Sequence, residues 1–94
     1  MIKVKQTARH DLPEFDVVVR DGKGETRHCV TMAVETFERL AAGRYTAEHV
    51  IEAAFQFLLD HEPKESILRA FDVTMISRYF PEFEKELPRY LSQS

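Results

Sequence analysis

The sequence predicts an α+β domain: an antiparallel β-hairpin, which residues 2–5 can extend to three strands, packed against a helical C-terminal two-thirds. Two observations predict it. Phe15-Asp16-Val17-Val18-Val19-Arg20 and Thr26-Arg27-His28-Cys29-Val30-Thr31-Met32 alternate with a strand's period of two around the turn Asp21-Gly22-Lys23-Gly24-Glu25. From Val34 onward, apolar residues recur instead at helical spacing. Ninety-four residues suit one domain with one modest core.

Along the chain, Ile2-Lys3-Val4-Lys5 alternates like a short edge strand, and Arg9-His10-Asp11-Leu12-Pro13 reads as a loop. In the hairpin, Phe15, Val17 and Val19 share one face with Thr26, His28, Val30 and Met32 as their second-strand counterparts. Arg27, Cys29 and Thr31 take the opposite face. Gly22 and Gly24 are expected to supply positive φ in the turn. Residues 34–42 form a helix with Phe37 and Leu40 on its apolar stripe and Gly43 as its stop. Thr46 caps the next helix, about 47–61, whose Val50, Ile51, Ala54, Phe55, Leu58 and Leu59 fall on one side. Phe57 widens that arc, so this helix is expected to be central. Pro63 opens a helix over 64–71, Asp72 caps a segment over 73–80, and Phe83 and Leu87 stripe a last helix that Pro88 kinks or restarts.

Charge narrows the partners. Residues 1–45 carry eight Lys/Arg against seven Asp/Glu, whereas residues 46–94 carry five against nine. An acidic helical half is a poor match for phosphate. The longest apolar runs are far too short for a membrane span, and a single cysteine suits a reducing cytoplasm.

Few side chains assemble into chemistry. Cys29 needs a histidine base, yet its neighbour His28 points to the other face of the strand, so His10, His49 or His61 would have to come from elsewhere. The four histidines show no metal-ligand spacing, and no cofactor motif is present; Gly22-Lys23-Gly24 precedes a strand rather than a helix. Residues 67–78 fail as a helix-turn-helix, because Leu68 fills a slot that is usually small and Pro81 breaks the second helix.

Two resemblances follow from particular residues. Val30-Thr31-Met32, the 34–42 helix and Thr46 to Phe55 together resemble the strand and two helices of ribbon-helix-helix proteins over about residues 26–60. That resemblance implies a dimeric DNA-binding regulator or antitoxin, with Arg27, Cys29 and Thr31 facing the major groove. Ser66-Ile67-Leu68-Arg69, Phe71-Asp72 and Tyr79-Phe80-Pro81-Glu82-Phe83 are similar to a C-terminal signature of small bacterial proteins. This second resemblance implies a bacterial source and carries no activity.

Tyr79, Phe80, Phe83 and Tyr90 crowd aromatic area into a short proline-punctuated segment. They suit either an anchor patch for a protein partner or second copy, or closure of a core lacking Trp. The function expected first is therefore a non-catalytic cytoplasmic protein acting through protein contacts or self-association. A DNA-binding regulator comes second, and an enzyme with an unrecognised site third.

Overall fold

Strand alternation produces a four-stranded sheet in the order β1-β2-β3-β4, built from Ile2–Ala8, Glu14–Asp21, Gly24–Thr31 and Ala70–Asp72. The computed structural model describes residues 1–8 and 12–93. The 9–11 part of the expected loop, His10 included, lies outside them. The first three strands pair antiparallel, with Val4 opposite Val17 and Val17 opposite His28. The extension expected at 2–5 is a strand of seven residues. Asp21 fixes the hairpin turn by accepting the Lys23 N–H at 2.8 Å, so only Gly24 takes a positive φ, 136°, and Gly22 does not.

The inward residues Phe15, Val17, Val19, His28 and Val30 are buried, and the helices cover them. α1 (Val34–Ala41) ends on Ala42, which adopts the left-handed conformation one residue before Gly43. α2 (Ala47–His61) matches the expected bounds, and Thr46 Oγ1 accepts the His49 N–H at 3.1 Å. It is central: Val50, Ile51, Ala53, Ala54, Phe55, Phe57 and Leu58 are buried, and it meets β1, α1 and α4 (Phe83–Leu91). Phe57 packs edge-on against Phe80, Phe83 and Tyr90, so one ring organises the aromatic end of the core.

The helix expected over 64–71 does not form. Lys64–Ser66 makes a single 3₁₀ turn, and Ala70–Asp72 then joins β3 as a parallel strand, with Val30 opposite Phe71. The Lys64 side chain, 3% exposed, ties that turn to the hairpin by pairing with Asp21 at 3.0 Å and Glu65 at 2.6 Å. Asp72 accepts Thr31 Oγ1 at 2.6 Å through one oxygen and the Thr74 N–H and Oγ1 through the other. These bonds steer the chain out of β4 into α3 (Met75–Tyr79). Pro88 lies inside α4 without ending it.

Candidate functional site

The arrangement that stands out is an apolar groove where the end of α2, the 66–71 crossing and α3 converge. Leu58 of α2, Ile67, Leu68 and Phe71 of the crossing, and Met75, Ile76, Tyr79 and Phe80 line it. The cavity is about 240 Å³. Its wall follows from the parallel pairing of β4 with β3, which replaces the expected helix and brings Ile67, Leu68 and Phe71 to the same groove as Leu58 and α3. Leu68 and Tyr79, 48% and 65% exposed, stand among the most exposed large apolar side chains of the described residues. Solvation of such atoms is unfavourable, and here two of them sit on one rim.

Glu62 and Ser66 are the polar members of the lining. Burial pushes the Glu62 carboxyl above the ordinary range, against an opposing pull from His61. Among the described residues, no Lys, Arg or His pairs with this carboxylate within 4 Å.

The four aromatics separate. Phe83 and Tyr90 are 1% and 6% exposed and belong to the core, which withdraws them as a patch for a partner. Their spacing places them against Phe57 of α2, and Tyr90 spends its hydroxyl on Asp60. Phe80 is half-buried, with one edge on Phe57 and another part lining the groove. Tyr79 alone is open to solvent. Leu68 and Glu62, which also line the groove, carry no sequence signal of their own, because a helix over 64–71 would not bring them together.

Arg27, Cys29 and Thr31 do share the outward sheet face, but their surroundings oppose phosphate. Arg27 pairs with Glu25 at 3.1 Å, and Thr31 is bound to Asp72. Burial together with the Glu14 and Asp16 carboxylates holds the Cys29 thiol above its ordinary pKa. The strand itself also departs from the ribbon-helix-helix arrangement. β3 is hydrogen-bonded to β2 on one side and β4 on the other, and the Cys29 N–H already donates to Arg69 O at 2.7 Å. β4 covers only the Cys29–Thr31 end of that edge, so a partner's strand could not run along the full length of β3 as the resemblance implies.

The described histidines act as structural pins. A carbonyl oxygen only accepts, so each ring must donate: His28 Nδ1 to Leu68 O at 2.8 Å, His49 Nε2 to Leu91 O at 2.7 Å, His61 Nδ1 to Phe57 O at 2.8 Å. His28 thereby holds the crossing that lines the groove. Among the described residues, no group of three or more His, Cys, Asp or Glu could hold a metal ion. No described helix is long and apolar enough to cross a membrane. A second, polar hollow is walled by Glu25, Arg27, His28, Lys64, Glu65 and Arg69, but Arg27, His28 and Lys64 are already engaged within the chain.

In comparisons with known proteins, the chain matches no family model, no curated protein and no solved structure.

Proposed function

We propose that this protein is a small non-catalytic interaction module of the bacterial cytoplasm that binds a segment of another polypeptide in the groove between α2, the 66–71 crossing and α3. The observation that carries this reading is the shared rim on which Leu68 and Tyr79 leave apolar surface in water. The apolar lining supports it. A groove walled by Leu58, Ile67, Phe71 and Ile76 can take one or two anchoring side chains, which is how partner proteins concentrate binding energy. A half-buried, unpaired thiol agrees with a reducing compartment. The resemblance of residues 66–91 to a C-terminal signature of small bacterial proteins is the ground for the bacterial source.

Selection of random-sequence peptides on the full chain tests the proposal, with the winners mapped by backbone amide chemical shifts. Enriched peptides should perturb Leu68, Phe71, Met75 and Tyr79. Winners that instead perturb the open face of the sheet, or a selection that enriches nothing, would overturn it.

A further inference from the structure

The groove is apolar except at one end, and that exception identifies its occupant. Glu62 is the C-terminal cap of α2 and contributes the single charged side chain among the lining residues. A carboxylate partly withdrawn from water needs a counter-charge or hydrogen-bond donors. Lys64 is committed to Asp21 and Glu65, His61 donates to Phe57 O and stands 3.9 Å from Glu82, and among the described residues neither Arg69 nor Arg78 forms an ion pair with Glu62. Covering the groove with a purely apolar segment would bury this carboxylate further without a partner. Covering it with a segment that brings a cation would satisfy it.

Resting on the groove-binding reading above, we propose that the bound segment carries a lysine or arginine adjacent to a bulky apolar residue, the apolar side chain entering between Leu68 and Tyr79 and the cation meeting Glu62. The chain's own exposed apolar–basic neighbours, Leu68-Arg69 and Arg78-Tyr79, stand on the groove's walls. Its other exposed large apolar residues, Met1, Leu12 and Val34, have no Lys or Arg directly beside them, which favours a foreign segment over a second copy. An arginine would add two-pronged recognition of the carboxylate to simple attraction.

The test is the same peptide selection run in parallel on the wild-type chain, Glu62→Gln and Glu62→Lys. Wild type should enrich Lys or Arg next to Leu, Ile, Met, Phe or Trp. A winning basic peptide should bind Glu62→Gln about tenfold more weakly, between the few-fold loss of an exposed ion pair and the larger loss at a fully buried one. Glu62→Lys should reverse the preference to Asp or Glu beside the same apolar residue. Peptides that bind in the groove with no charge preference, or with one that Glu62→Lys leaves unchanged, would overturn the cation while sparing the groove. Peptides that bind the Leu68→Ser/Tyr79→Ser double variant as well as wild type would overturn both. Both substitutions lie on exposed side chains, so a folded double variant is expected, and circular dichroism checks that. Sedimentation showing a dimer that Leu68→Ser and Glu62→Lys each dissociate would assign the groove to a second copy and overturn the foreign segment.

Discussion

Tyr90 Oη donates a hydrogen bond to Asp60 Oδ2 at 2.5 Å, joining the last turn of α4 to the last turn of α2. The bond closes the aromatic end of the core over Phe57, and it explains why a tyrosine rather than a phenylalanine occupies a nearly buried position. Tyr90→Phe keeps the ring and removes the hydroxyl. Because Asp60 is exposed and can turn to water, the expected loss is about 1 kcal/mol, read from urea unfolding. The hydrogen bond to the Asp60 carboxylate and burial both raise the Tyr90 phenol's pKa. A raised acid contributes stability fully present below its unfolded value and lost as pH climbs toward the folded one. The difference between wild type and Tyr90→Phe should therefore shrink as pH rises past about 10.

Asp72 behaves in the opposite sense. Burial pushes its carboxyl up, but hydrogen bonds from Thr31 and Thr74 outweigh that and leave it below the ordinary range. A depressed acid stabilises the fold above its unfolded pKa, and that stability is lost as pH falls through and below the ordinary carboxylate range. Asp72→Ala should cost about 1–3 kcal/mol at pH 7 by freeing the Thr31 and Thr74 donors. Unfolding midpoints taken from pH 6 to pH 2.5 should show that cost diminishing.

Phe57 and Tyr79 give the contrast between core and surface aromatic. Phe57 is fully buried among His61, Phe80, Phe83 and Tyr90. Phe57→Ala should cost about 3–5 kcal/mol, a large share of the stability of a domain this size, and Phe57→Leu, which leaves a smaller void, should cost less. Tyr79→Ala should stay within about 0.5 kcal/mol of wild type in the same urea titration.

Thr46→Ala removes the acceptor for the His49 N–H at the start of α2. About 1 kcal/mol should be lost. Thr46→Ser, which keeps an oxygen in place, should recover most of it.

Cys29 should alkylate slowly. The thiol is half-buried, and burial with Glu14 and Asp16 raises its pKa, so little thiolate is available at neutral pH. Iodoacetamide at pH 7.5 should react with the folded chain well below the rate for the urea-unfolded one. Folded and unfolded rates that coincide would contradict this environment.

The hairpin and α2 are legible from residue order alone. In both, the period of apolar residues is set by local backbone geometry: Phe15, Val17 and Val19 can share a face only on a strand, and Val50, Ile51, Ala54, Phe55 and Leu58 only on a helix. Thr46 was legible as a cap for the same reason, since its partner is three residues away. The tertiary structure alone decided residues 64–72. Ile67 and Phe71 lie four apart, a spacing that mimics a helix, yet main-chain bonds to β3, some forty residues earlier, hold residues 69–73 against it. That decision created the groove, because it set Leu68 beside Tyr79 and left Glu62 at its edge. It likewise covered the Cys29–Thr31 end of β3. Which aromatic faces water also depended on where α2 lies: Phe83 and Tyr90 meet Phe57, and Tyr79 meets solvent, a difference that spacing along the chain does not encode.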